Sequence, residues 1–229
     1  MFLIIVPTLN AQTSLPSLLE QCAGRDMIVS DGESIDETLL LALKAQARIV
    51  IGGAGRGQQL ARAVEWAFQT SSHEWVLILH ADSQLQEGWE SAVTNHIQNH
   101  SNQVGYFTFG ANARGWEPRF MEFVVRLRDI WPKLPYGDQG LLISKEMYDA
   151  VGGYPEQSLF EDVELIRRLK QKYGRRALRR MSAKIMTDVS AYRRDGFAKR
   201  TWRNTQLLFA YNKGEHVEIL LQRYKKPAG

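Results

Sequence analysis

The sequence has a single cysteine, Cys22, among its 229 residues. That excludes an internal disulfide and any cysteine-built metal centre, and it fits a reducing, cytoplasmic setting. No apolar run approaches the length needed to cross a bilayer. The opening MFLIIVPTLN has no basic residue before its short apolar stretch and no small-residue cleavage site after it. It therefore reads as a buried first strand, not a secretion signal. Repeats, low-complexity tracts and linker-like stretches are missing too, which leaves one domain over residues 1–229.

What is present is ordinary globular composition, 44% hydrophobic and 24% charged, with an uneven charge. Residues 1–162 carry 11 basic and 20 acidic side chains, net −9, and residues 163–229 carry 18 and 5, net +13. The acidic part suits a metal. The basic part suits phosphate, anionic lipid, nucleic acid or simply a solvated surface.

Short apolar runs alternate with helical spacings. The pattern predicts strands at 2–6, 27–30, 48–51 and 75–79. Helices are expected near 15–22, 36–47 and 58–70, with Leu39, Leu40 and Leu43 on one face of the second. Unalternated strands in a β-turn-α rhythm predict a mostly parallel sheet covered on both faces, an α/β fold in three layers. After residue 82 the rhythm changes. Helices are expected at 86–100, 120–129, 145–151, 161–173 and 197–212, and strands at 104–109, 140–144 and 184–189. Pro132 and Pro135 frame a loop. Residues 1–100 thus form one half, 101–190 a second, and 191–229 a basic helical extension.

In open α/β sheets ligands bind beyond the carboxyl ends of the strands. Four polar segments fall there in succession: Pro7-Thr8-Leu9-Asn10, Ser30-Asp31-Gly32-Glu33-Ser34, Gly52–Gly57 and His80-Ala81-Asp82-Ser83. Each alone is as well explained by a turn or a helix cap. The glycines follow the third strand, where a dinucleotide fingerprint would follow the first, and the Walker lysine is absent. NAD and P-loop ATP chemistry are disfavoured. A glycine turn with Arg56 and Gly57 opening a helix still suits an anion. Asp82 is compatible with Mg²⁺ or Mn²⁺, which take few protein carboxylates and fill the rest with phosphate and water. His80 is a second possible ligand or a hydrogen-bonded structural residue.

These segments, taken in order, resemble the family 2 glycosyltransferases of GT-A fold. Residues 4–10 look like the family's opening strand and loop, and 28–38 like its D-G-S-x-D-x-T segment. His80-Ala81-Asp82 occupies the D-x-D place, with His80 where the first aspartate usually stands. Gly152-Gly153-Tyr154-Pro155 with Phe160-Glu161-Asp162-Val163-Glu164-Leu165 resembles the G-G-F…E-D-x-x-L block. HADS, PYGDQG and EDVEL together are similar to a small bacterial subgroup associated with arsenosugar biosynthesis.

The resemblance implies inverting transfer of one sugar from a nucleoside-diphosphate sugar to an acceptor hydroxyl, assisted by Mn²⁺ or Mg²⁺. Pro7, Thr8, Asn10, Asp31, Arg56, Gly57, His80 and Ala81 would hold the donor nucleotide, and Asp82 the metal. Asp138, Gln139 and Glu161 would hold the acceptor, and Asp162 would be the general base. For Glu161-Asp162 a capping role at a helix N-terminus is compatible with catalysis; for Asp138-Gln139 a loop hydrogen-bond network is the alternative. The processive Q-x-x-R-W motif is absent, which favours single-sugar transfer.

Two other functions remain at this stage. A sugar-phosphate nucleotidyltransferase has a related fold but carries a glycine-rich basic loop after its first strand. A nucleotide- or RNA-binding module would use the basic C-terminal part, yet stacking aromatics are lacking and strand-end acids repel phosphate; no nucleic acid is expected. Lys199, Arg200 and Arg203 precede Leu207, Leu208, Phe209 and Tyr211. This segment suits peripheral contact at the inner face of the membrane, with a small-molecule or lipid-linked acceptor, or else docking on the core or in a homodimer.

Overall fold

A computed structural model describes residues 1–131 and 133–225, apart from the side chain of Ala191. Pro132 of the expected loop and residues 226–229 of the expected extension lie outside the described residues.

The chain begins with β1 (Phe2–Thr8), α1 (Leu15–Gln21), β2 (Met27–Asp31), α2 (Thr38–Lys44), β3 (Arg48–Ile51), α3 (Arg56–Thr70) and β4 (Trp75–Ile78). It continues with β5 (Ser83–Leu85), α4 (Trp89–Asn99), β6 (Val104–Ala111), α5 (Trp116–Ile130), a 3-10 turn at Gly137–Gln139, β7 (Leu141–Ser144), α6 (Lys145–Ala150) and α7 (Glu161–Tyr173). Last come β8 (Leu178–Thr187), α8 (Ser190–Asp195), α9 (Phe197–Asn212) and α10 (Val217–Lys225).

The strands form one sheet in the order β3-β2-β1-β4-β7-β6-β8-β5. Neighbours among β3, β2, β1 and β4 pair in parallel, as do β6 and β8; β7 runs against β4 and β6, and β5 against β8. The sheet is therefore mostly parallel and spans both halves of the chain.

Alternation along each strand sends side chains to opposite faces. Ile4, Val6, Val29, Leu77 and Leu79 pack on one side with Leu15 and Leu18 of α1, Ala42 of α2 and Val93 of α4. Leu3, Ile5, Ile28, Val76 and Ile78 pack on the other with Leu60 and Val64 of α3, Met147 of α6 and Leu165 of α7. A strand buried on both faces has no reason to alternate in hydrophobicity, which is why these read as continuous apolar runs.

Some expectations need correction. Leu40 and Leu43 are 46% and 61% exposed, while Thr38 and Ala42 are the buried positions of α2. The helix has turned its smaller residues inward because Thr38 is held by the loop after β1: the Ala11 N–H donates to Thr38 Oγ1 at 2.8 Å. Strand β5 is too short and polar to announce itself. Strand β8 starts at Leu178, earlier than expected, because Arg179 and Arg180 leave its first residues outwardly polar. The helical extension expected over 191–229 holds α8 and α10 beside the one helix placed at 197–212, and Leu207 of α9 packs with Leu220 of α10 and Leu159 of the loop before α7.

Candidate active site

The parallel strands deliver their carboxyl ends to one edge, and two structures meet there. The first is a scaffold. Thr8 ends β1 and Asp31 ends β2; the Thr8 hydroxyl donates to Asp31 Oδ2 at 2.8 Å. Asp31 also accepts from the Ser34 N–H at 2.7 Å and the Ser34 hydroxyl at 2.6 Å. Gln59 of α3 donates from Nε2 to the carbonyls of Thr8 at 2.7 Å and Ser30 at 2.8 Å. Asn10 and Glu33, with φ of 50° and 68°, adopt the left-handed turns that bring these loops together.

Asp31 is buried and accepts three hydrogen bonds, so it ties the loops after β1 and β2 together. Thr8 is likewise 3% exposed. Asn10 is the exposed member of the group, while Pro7 is partly exposed. Gln59 carries no signal in the sequence, since a glutamine inside a helix is unremarkable until its buried amide is seen joining two strands.

The second structure is a cleft of 310 Å³, in which Arg56, His80, Asp82, Asp138 and Asp162 converge. These come from α3, the end of β4, the 3-10 turn and the first turn of α7. Ala81 is partly exposed beside it and packs against the core. Thr187 and Asp188 at the end of β8 line the cleft too, with Tyr192, Arg200, Asn204 and Tyr224 from the C-terminal helices. Asp188 was legible by the strand-end rule that picked out Asp82; it was missed because β8 itself was placed imprecisely.

Asp162 is held in place by backbone. Its Oδ2 accepts the Gly137 N–H at 2.7 Å and its Oδ1 the Val163 N–H at 2.8 Å. A carboxylate has about four acceptor sites, so lone pairs remain for a hydroxyl. The preceding Phe160 takes φ of 62°, rare for a bulky residue, and stacks on Tyr211 at 5.0 Å. Strain of this kind persists where surrounding structure fixes it; here it aims the start of α7 into the cleft.

Arg56 forms a salt bridge with Glu161. Glu161 is 1% exposed and Arg56 is 38% exposed. Burial opposes the arginine's charge, but Glu161 and Asp162 keep it firmly protonated. Burial pushes the Glu161 carboxyl up, Arg56 pulls it back, and its Oε2 has no hydrogen-bond partner among the described residues. Glu161 thus stands behind the cleft wall and positions Arg56, a correction to its expected acceptor contact.

Gln139 needs the same correction. It is fully buried, its amide donating to the Phe107 carbonyl at 3.3 Å and to both Asp129 oxygens at 3.1 Å, while its oxygen accepts from Arg128 at 3.0 Å. It is the hub of a loop network, out of reach of an acceptor. Arg128 in turn stacks on the Tyr136 ring at 3.6 Å.

His80 is pushed down to about 3 by burial and by Arg56, so its imidazole is neutral. A Cβ on Gly137 would come within 2.6 Å of His80 Nε2. The ring fills the notch that glycine leaves. Gly57 serves a similar purpose: a Cβ there would lie 2.2 Å from the Gln157 carbonyl oxygen and 2.4 Å from that of Pro155. Its place at the start of α3 is a close backbone approach, which brings Arg56 next to Glu161.

Asp138 has an unpartnered, sealed Oδ1 among the described residues. Burial, with the charges of Asp162 and Asp82, pushes its carboxyl up to about 6 against the pull of Arg128. A folded-state value above the usual 3.8 means that the native state binds the proton more tightly. Stability is then full below about 4 and falls as pH rises through about 6. Full burial of that shift would be worth about 3 kcal/mol, and partial solvent access brings it to about 1–2 kcal/mol. Asp138→Asn should therefore melt higher than the parent at pH 8, by about 3–6 °C, and about equally at pH 4. Equal differences at both pH values would contradict the buried charge.

Among the described residues, no three His, Cys, Asp or Glu side chains group to hold a metal. Two carboxylates are better placed. Burial raises the Asp82 carboxyl and the charge of Asp188 raises it further, so the two repel across the cleft. Hard oxygen donors under mutual repulsion fit a divalent cation that draws its remaining ligands from phosphate and water.

The basic C-terminal segment was expected either to meet a membrane or to dock on the core or a second copy. Arg200 and Arg203 are 13% and 18% exposed and face Asp195, at 2.6 and 4.0 Å. Two of the three cations expected to face anionic lipid thus face inward. None of the helices, among the described residues, is long and apolar enough to cross a membrane.

The family model for glycosyl transferase family 2 matches residues 3–155. Among solved structures, glucosyl-3-phosphoglycerate synthase from Mycobacterium tuberculosis in complex with Mn²⁺ and UDP-glucose superposes with a TM-score of 0.60 at 18% identity, over 82% of this chain and 70% of that one. TarS 1–349 from S. aureus gives 0.58 at 18% identity, over 81% of this chain and 57% of that one. At such identities these likenesses show a shared fold. A comparison with curated proteins gives no match.

Proposed function

Because the chain belongs to glycosyl transferase family 2, we propose that it moves a single sugar from a nucleoside-diphosphate sugar to an acceptor hydroxyl with inversion, using Asp162 as base. The observation that carries this is the convergence of Asp82, Asp138, Asp162 and Arg56 on one 310 Å³ cleft at the carboxyl ends of parallel strands. The mycobacterial synthase, bound to Mn²⁺ and UDP-glucose on a similar fold, supports a UDP-sugar and a divalent metal.

In this reading the acceptor oxygen attacks the anomeric carbon as its proton passes to Asp162. The bond from that carbon to the phosphate oxygen breaks, and its electron pair leaves with the nucleoside diphosphate. Attack and departure on opposite faces invert the centre. A carboxylate in general is a weak base, so positioning carries the effect, and the Gly137 and Val163 amides supply it to Asp162. Arg56, fixed by Glu161, offers fixed positive charge where the leaving diphosphate gains negative charge. Asp82, with Asp188 beside it, would hold the metal, which would supply positive charge to the diphosphate.

The test is a thermal-shift panel of nucleoside-diphosphate sugars with and without Mn²⁺. At a hundred times Kd a ligand adds about 2.7 kcal/mol, or about 5–10 °C for a chain of this size. One donor should give that shift only with Mn²⁺. Silence across the whole panel would overturn the reading.

A further inference from the structure

Beside the catalytic cleft lies a second cavity, of 440 Å³, between α5 and α9. Trp116, Phe120, Met121 and Val124 line it from α5, and Phe197 and Trp202 from α9. Trp116, Phe120 and Trp202 are 76%, 60% and 66% exposed. Large aromatics clustered in the open around a concave surface mark a binding site. The cavity also has Tyr136, Asp138, Tyr192 and Asn204 in its wall, and the same four residues line the cleft that holds Asp162. The two spaces are adjoining compartments with a common polar partition.

That continuity identifies the occupant. A molecule in the aromatic compartment sits next to the base, in the place of the acceptor. Its body must be mainly apolar to match the aromatic and aliphatic part of the walls, which Glu117 and Arg128 interrupt, and its polar end must reach the Asp138–Asp162 side to present a hydroxyl. Resting on the glycosyltransferase reading above, we infer that the acceptor is an amphiphile: an apolar alkyl or aromatic group held between α5 and α9, joined to a hydroxyl-bearing end that enters the cleft. A flat membrane surface would cover the exposed aromatics without reaching Asp138, and a second copy of this chain would close the compartment against an acceptor.

Calorimetric titration of n-alkyl β-D-glucosides, from butyl to octyl and below micelle concentrations, tests this without donor or metal. The dissociation constant should tighten about fourfold for each added methylene, as expected for its transfer from water to an apolar site, and glucose alone should not bind. The variant carrying Phe120→Ser and Trp202→Ser changes exposed residues, so it should melt close to the parent, and its chain-length dependence should vanish. A flat dependence in the parent would overturn the inference. So would a dependence that survives the double substitution, or a dimer in sedimentation that this substitution dissociates. Because no nucleotide sugar is present, a failure here leaves the thermal-shift result standing, and a silent donor panel leaves alkyl binding to be read on its own.

Discussion

Asp162→Asn should lower the turnover of the nucleotide sugar, read as release of nucleoside diphosphate in the presence of an acceptor, by about 10²–10⁴-fold, while donor affinity stays within about twofold. The amide is nearly isosteric with the carboxylate, so it keeps the shape of the α7 start. It can no longer take a proton, and only its oxygen can accept from the Gly137 or Val163 amide. The split between rate and affinity separates a base from a structural cap: a cap would lower melting temperature and leave chemistry in the surviving fold nearly intact. Asp162→Glu keeps the basicity but moves it by one methylene, and should fall between the two because positioning matters at this scale. Retained turnover in Asp162→Asn with unchanged donor binding would remove Asp162 from the mechanism and direct attention to Asp138, whose unpartnered Oδ1 faces the same charges.

The layered architecture was legible because it depends on local rules. Runs such as Leu3–Val6 and Val76–Leu79 carry no alternation, and only a strand buried on both faces needs none. The strand-end rule led to Thr8, Asp31 and Asp82 for the same reason. It could not say which of them face a ligand. Asp31 and Asp82 look alike in sequence, yet one is sealed under three hydrogen bonds and the other lines the cleft. The difference is made by Thr8 and Ser34, whose hydroxyls the folded loops turn onto Asp31.

Partners distant in sequence were the general blind spot. Arg56 and Glu161 are 105 positions apart, and nothing in either neighbourhood announces the pair. Gln139 was singled out because it adjoins Asp138, but alternate residues of a tight turn face different ways, and it points into the Asp129–Arg128 network. The basic C-terminal charge reads as a surface until Asp195 is seen drawing Arg200 and Arg203 inward. The aromatic compartment escaped notice because helical spacing cannot tell an apolar face that finds a neighbour from one left open, as Trp116 and Phe120 are.

The claim with most at stake is that a chain with His80 in the D-x-D place still works through a divalent metal held by Asp82. His80 is neutral and occupied with the Gly137 notch, so the carboxylate charge available at that strand end is that of Asp82, beside Asp188. Removing it should cost several kcal/mol of transition-state stabilisation, on the order of 10³-fold in rate. The direct measurement is calorimetric titration of UDP, or of the nucleoside diphosphate of whichever donor the panel selects, into the parent and Asp82→Ala, each with Mn²⁺ and with EDTA. Parent affinity should be clearly tighter with Mn²⁺ than with EDTA, and Asp82→Ala should bind equally weakly in both conditions. A variant that still gains the full Mn²⁺ increment would contradict the assignment of the metal to Asp82.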